Sequence, residues 1–158
     1  MKTMIAYYSL EGHTEKVVHD LATKIGASHV VRVEPLDESV LQGKSLSSLV
    51  SINANIKPCK SDLDDVDFLI VATPVWTDGP SPFMDRFMST LTNCKGKPFS
   101  ALIETSIGGG DRALSRIRKT LERKGMKYVS SAFTFEKDVE SDKYSQVLEK
   151  FAATIHKA

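Results

Sequence analysis

The strongest constraint on the fold of this chain is an alternation. Short, wholly apolar runs are each followed by a loop bearing glycine or proline, and then by an apolar stripe at helical spacing. Met4-Ile5-Ala6-Tyr7-Tyr8 is the first run, Val30, Val31 and Val33 mark the second, and Phe68-Leu69-Ile70-Val71-Ala72 is the third. Phe99-Ser100-Ala101-Leu102-Ile103 is the fourth, and residues 128–135 give the fifth. Runs without polar alternation are strands buried on both faces. Between them Thr14, Val17, Val18, Leu21, Ala22 and Ile25 form a helical stripe closed by Gly26. Phe83, Phe87, Met88 and Leu91 form the next, and Leu114, Ile117 and Leu121 the third, ending near Gly125. Tyr144, Val147, Leu148, Phe151, Ala152 and Ile155 form the last. Five strands alternating with helices predict an α/β protein, a doubly wound parallel sheet covered on both faces.

The connection from Pro35 to Lys60 is the exception, Ser-rich and interrupted by Gly43. It is expected to hold the second helix in irregular form, or to serve as a lid or dimer contact. The 158 residues predict one domain spanning 1–158. Lys and Arg number 21 against 20 Asp and Glu, a net charge of +1, which is far from a nucleic-acid footprint. With 41% apolar residues the chain is not of disordered composition. Cys59 and Cys94 have no metal-ligand spacing and read as reduced thiols. The N-terminal apolar stretch is too short for a signal peptide, and no run reaches the ~20 residues of a membrane span. The expectation is a cytoplasmic protein with no membrane or nucleic-acid partner, as a monomer or homodimer.

In doubly wound sheets, ligands bind outside the carboxyl ends of the strands. Three unusual loops are predicted there. The first reads Ser9-Leu10-Glu11-Gly12-His13-Thr14. Its glycine permits a tight turn, and the free N–H groups of the following helix can hold a phosphate without lysine. The competing reading is a plain helix cap, with Thr14 capping. His13 is either a phosphate donor or an exposed loop histidine, and Glu11 must point outward. The second loop reads Thr73-Pro74-Val75-Trp76-Thr77-Asp78-Gly79, continuing to Pro80-Ser81-Pro82. Its single tryptophan either folds back on the core or gives a planar ligand a stacking surface. The third reads Thr105-Ser106-Ile107-Gly108-Gly109-Gly110-Asp111. Three successive glycines are reasonable where backbone must approach a ligand closely.

These residues carry a resemblance. Tyr7-Tyr8-Ser9-Leu10-Glu11-Gly12-His13-Thr14 resembles the phosphate-binding loop of the flavodoxin-like superfamily, with the pattern Ser/Thr-x-x-Gly-x-Thr. Ala72-Thr73-Pro74-Val75-Trp76, with Gly79 and Ser81-Pro82 behind it, is similar to the second flavin loop of that superfamily. Asp62 to Asp67, ahead of strand three, is also similar. The resemblance implies a three-layer, five-stranded parallel sheet of order 2-1-3-4-5, with FMN as cofactor. It places Ser9 to Thr14 on the FMN phosphate, Thr73 to Gly79 beside the isoalloxazine, and Ser106 to Asp111 at its pyrimidine edge. The Asp78–Gly79 peptide is then expected near flavin N5, with Gly79 tolerating a positive φ. Glu11 departs from the Thr found at that place in the best-known flavodoxins.

Flavin cofactors carry their own chemistry, so no catalytic acid or base is nominated. Asp85 and Arg86 read as solvated. Arg112, Arg116, Lys119 and Arg123 make a basic helix face, either solvated or a strip for an acidic protein or for nicotinamide-nucleotide phosphates. The Asp62–Asp67 cluster has no accompanying His or Cys and reads as a turn rather than a metal site. A phosphoacceptor domain of this fold would need acidic residues where Tyr8-Ser9 and Thr73-Pro74 stand. Two functions remain: a redox protein passing electrons through bound flavin to a partner protein, and an NAD(P)H-dependent FMN or quinone reductase. Carriers of this superfamily are typically acidic, and the +1 charge argues against that; the short chain argues for it.

Overall fold

A computed structural model of the chain describes residues 1–41 and 54–158. The strands are β1 (Thr3–Tyr7), β2 (His29–Arg32), β3 (Phe68–Trp76), β4 (Gly79–Pro80), β5 (Pro98–Thr105) and β6 (Lys127–Phe135). The helices are α1 (His13–Ile25), α2 (Pro82–Thr90), α3 (Gly110–Arg123), α4 (Glu136–Glu140) and α5 (Ser145–His156). A short 3-10 helix covers Glu38–Leu41. Five strands pair in parallel in the order β2-β1-β3-β5-β6, with β4 a short antiparallel partner on the end of β3. Leaving β4 aside, this is the expected 2-1-3-4-5 order.

Strand periodicity divides the core into two layers. Met4 and Ala6 of β1, Leu69 and Val71 of β3, and Phe99, Ala101 and Ile103 of β5 pack with α2 and α3. Ile5, Tyr7, Phe68, Ile70, Ala72 and Leu102 take the opposite face, with Val17, Val18 and Leu21 of α1 and Leu148, Phe151 and Ile155 of α5. Val147, expected on the inner stripe of α5, is exposed, and β2 is an alternating edge strand with Val30 outward.

Three differences from the sequence expectation bear on the site. First, β3 does not stop at Ala72 but runs on through Pro74 to Trp76. Tyr7, the last residue of β1, pairs with Ala72, so beyond it β3 has no strand on that side and the missing N–H of Pro74 costs no ladder bond. Second, β5 continues past Ile103 to Thr105, held by Glu104 pairing with Pro74 on one side and Thr134 on the other. Third, α4 was not anticipated, and it brings Glu136 and Glu140 to the end of the sheet. Of the segment expected to hold an irregular helix, residues 42–53 lie outside the described residues. Its described flanks meet at an antiparallel bridge between Pro35 and Ile56.

Candidate functional site

A cleft of about 90 Å3 opens beyond the carboxyl ends of β1, β3 and β5. Its walls are Ser9, Leu10, Glu11, His13 and Thr14 of the first loop, Pro74, Val75 and Trp76 of the second, and Glu104, Ser106 and Glu136.

The first loop closes on itself through Ser9, whose Oγ accepts from the N–H groups of Gly12 (3.1 Å) and Glu15 (3.2 Å). Gly12, at φ 92°, is the residue that turns the chain into α1, and the one side chain that reaches a first-turn amide of the helix is that of Ser9, on Glu15 N–H. The alternative of Thr14 as a helix cap therefore does not hold. Thr14 is instead 2% exposed, and its Oγ1 makes no hydrogen bond. The N–H groups of His13 and Thr14 are likewise without partners among the described residues. A buried hydroxyl without a partner costs about 1–3 kcal/mol, so the loop is stable at the expense of donors held ready for an acceptor. These donors fit a phosphate.

The second loop is less open than expected. Thr73 is fully buried, its hydroxyl donating to the Pro74 carbonyl (2.9 Å) and accepting from Ser81 N–H (3.0 Å). Ser81 in turn caps α2, with Pro82 at the first helical position. Trp76 is 5% exposed and packs edge-on against Tyr8 (5.5 Å between centroids) and Phe83 (6.0 Å). The core reading of this tryptophan is the correct one, although its rim lines the cleft. Gly79 pairs with Trp76 as part of β4, and its φ is not positive. In this backbone the positive φ falls on Thr77 (57°) rather than on Gly79.

The glycines of the third loop meet protein. A Cβ on Gly109 would lie 3.1 Å from Val75 Cγ1 and 3.3 Å from the Thr77 carbonyl oxygen; on Gly110 it would lie 2.8 Å from the Phe133 ring. Two of the three glycines thus let this loop and α3 press against the second loop and β6. Gly108, at φ 131°, faces open space, and its N–H and C=O both bond Thr105 Oγ1. Ser106 reaches the cleft, whereas Ile107 points wholly to solvent. Asp111 sits beside Leu114 and Ser115 in a separate depression. Asp78 pairs with Arg112, and Asp85 with Arg116 (2.6 Å). Asp85 is therefore not simply solvated; burial raises its carboxyl pKa and Arg116 opposes that rise. Half of the expected basic strip is spent on these pairs.

Glu104 is the site residue that sequence reasoning missed. It is 8% exposed, faces the cleft, and has no hydrogen-bond or ion-pair partner among the described residues. Burial pushes its pKa up to about 7; His13 pulls it down, and Glu136 and Glu11 push it further up. The available signal was its place, one residue past an apolar run at the carboxyl end of a central strand. His13, at the start of α1, is ringed by carboxylates: Nδ1 lies 3.9 Å from both Glu11 and Glu136, and Nε2 lies 3.5 Å from Glu140. No helix among the described residues is long and apolar enough to cross a membrane.

The fold has relatives among solved structures. A flavoprotein from Lactobacillus acidophilus NCFM in complex with FMN superposes with a TM-score of 0.66 at 18% identity, covering 91% of this chain and 98% of that one. The two-electron reduced flavodoxin of Megasphaera elsdenii gives 0.64 at 16% identity, covering 99% of each chain. An NADH:FMN oxidoreductase in its apo form gives 0.66 at 19%, covering 99% and 88%. At these identities the likeness is one of fold. No curated protein matches the chain in sequence. A family model described as NADPH-dependent FMN reductase matches residues 1–140, which takes in β1 through α4 and all three loops. The chain therefore belongs to the NADPH-dependent FMN reductase family and carries the flavodoxin-like fold, with FMN as the cofactor that membership implies.

Proposed function

We propose that the chain is an FMN-dependent oxidoreductase that draws electrons from NAD(P)H and passes them on through the bound flavin. The observation that carries this reading is the set of donors at the mouth of α1. The buried Thr14 hydroxyl and the unpartnered N–H groups of His13 and Thr14 belong to residues that line the cleft. In this reading Ser9 to Thr14 hold the phosphate, while Pro74, Val75, Trp76 and Ser106 bound the ring. Thr73, Thr77, Asp78 and Gly79 and the run Gly108 to Asp111 act behind them, fixing the two loops against each other. FMN, when bound, supplies hydride acceptance and electron release. The protein's part is to orient the ring, limit water, and keep a proton at the Glu104 carboxyl or release it near neutral pH.

A carrier that docks to a redox partner protein is the second reading, and one observation favours it. Leu10 on the cleft wall, and Ile107 and Phe135 next in sequence to the lining residues Ser106 and Glu136, are exposed apolar side chains. Anaerobic mixing of the FMN-loaded protein with NADPH, and separately with NADH, distinguishes the two. Rapid loss of the oxidised flavin absorbance is expected. Absorbance that persists with both nucleotides, but is lost on mixing with a reduced partner protein, would favour the carrier. Failure to bind added FMN would overturn both.

A further inference from the structure

The carboxyls on the cleft wall are not alike. Glu11 and Glu136 reach solvent and stand near His13, whereas Glu104 is more than nine-tenths buried and has no hydrogen-bond or ion-pair partner among the described residues. Its place is set by the backbone. Pairing with Pro74 of β3 and Thr134 of β6 keeps residue 104 extended. The period of two then puts its side chain on the same face as Leu102, the face covered by α1.

The neighbours do little for a charge at this position. Pro74 and Thr134 do not titrate, and the Thr134 hydroxyl makes no hydrogen bond. The charged groups that act on Glu104 are His13 of α1, Glu136 of α4 and Glu11 of the first loop. His13 is shared with Glu140 as well. An ionised Glu104 therefore depends on the water that reaches it through the open cleft.

We infer that Glu104 must hold a proton for FMN to bind tightly, so that filling this cleft takes one proton up from solvent. The inference rests on the flavin reading. Glu104 and the Ser9 to Thr14 loop line a single cleft, so a ligand seated on that loop displaces water from the carboxyl. Loss of that water raises the cost of its charge. A phosphate monoester adds about −1.5 to −2 charges at neutral pH, in a space that already holds Glu11 and Glu136. Both changes favour the neutral acid. The neutral acid also offers an O–H donor to an oxygen-rich ligand, where the carboxylate offers acceptors alone.

Linkage fixes the sign of the effect. Burial holds Glu104 at about 7 in the open cleft, and a filled cleft pushes it higher. A ligand that raises the pKa of a group loses affinity as pH climbs above the free value, by up to about tenfold per unit.

The test is calorimetric titration of FMN into the flavin-free protein at pH 8, in buffers of low and high ionisation enthalpy, which counts the protons taken up. Quenching of flavin fluorescence gives the affinity at pH 7 and at pH 8.5. Both values lie above the second ionisation of a phosphate monoester, about 6, so the ligand keeps its own charge. The parent should take up close to one proton per FMN and bind about tenfold more weakly at pH 8.5 than at pH 7. Glu104→Gln keeps the shape and a donor without the charge. It should take up no proton, bind equally at both pH values, and bind more tightly than the parent at pH 8.5. His13→Gln removes the other nearby group that titrates in this range, and the uptake should persist in it. Uptake that survives in Glu104→Gln, or that vanishes in His13→Gln alone, would overturn the inference by placing the proton elsewhere. FMN binding to the parent without uptake or pH dependence would overturn it and leave the flavin reading intact. FMN that binds at no pH, pH 6 included, would remove the flavin reading and this inference with it.

Discussion

Single side chains in this protein carry local costs, and one of them lies at the cleft. Thr14 and Thr134 both bury a hydroxyl without a partner, yet only Thr14 lines the cleft. Replacing each by valine removes a costly buried polar group while keeping the shape. Both Thr14→Val and Thr134→Val should match or exceed the parent stability, by up to about 1 kcal/mol, in denaturant titrations. Only Thr14→Val should weaken FMN binding, by about tenfold, as read by quenching of flavin fluorescence. Equal affinities in the two variants would remove Thr14 from the site. Thr77 stores cost differently, as a β-branched residue at positive φ. Thr77→Gly is expected to raise the thermal midpoint, corresponding to about 1 kcal/mol. The sequence showed Thr14 within a phosphate-loop pattern. It could not show the orphaned hydroxyl, because that depends on what surrounds the side chain.

At the scale of elements, the reach of the strands decides what enters the site. The run Phe99 to Ile103 is legible as a strand from its composition, but its extension to Thr105 is not, since Glu and Thr read equally well as the start of a turn. Pairing with Pro74 and Thr134 keeps those residues extended and turns Glu104 toward the cleft. The glycine run shows the reverse. Its composition suggests backbone close to a ligand, and the fold adds a second demand, since Gly109 and Gly110 leave room for the second loop and for Phe133. Gly110→Ala should cost about 1–3 kcal/mol in chemical unfolding, because its methyl would enter the Phe133 ring at the start of α3. Combining Gly110→Ala with Phe133→Leu should recover part of that loss. No recovery would mean that the clash is not the cause.

For the whole molecule, the balance of 21 basic against 20 acidic residues conceals a local imbalance. Carboxylates gather around His13, while Arg112 and Arg116 are paired with Asp78 and Asp85. Little charge is left for long-range steering, so partner choice rests on the cleft rather than on a field around the protein. The imbalance does reach global stability through Glu104. Its folded pKa of about 7 lies above the ordinary 4.5, so the folded state holds its proton more tightly than the unfolded state. Stability from this group is present below pH 4.5, declines as pH rises through 7, and is flat above. The groups facing it are His13 of α1, Glu11 of the first loop and Glu136 of α4. In FMN-free protein with EDTA, Glu104→Gln should flatten this slope. At pH 8 the variant should exceed the parent by on the order of 2 kcal/mol. A parent with no such decline between pH 5 and 8 would contradict the buried, unpartnered state of this carboxyl.

The sequence by itself determined the layering and the strand order to be expected, because apolar runs and helical stripes report which faces are buried. It also determined where a ligand should sit, because a doubly wound sheet leaves its open loops at the carboxyl ends of its strands. Tertiary structure alone decided which of those loop residues face the opening and which face one another. It buried Trp76 against Tyr8 and Phe83, used Gly109 and Gly110 of the third loop for packing, and brought Glu136 and Glu140 around His13 and Glu104 within reach of its charge. The physical reason is one of range. Burial patterns are periodic over a few neighbouring residues and can be read along the chain. The ring around His13 joins residues 11 to 140, and its charges are set by distances that exist only once the chain is folded.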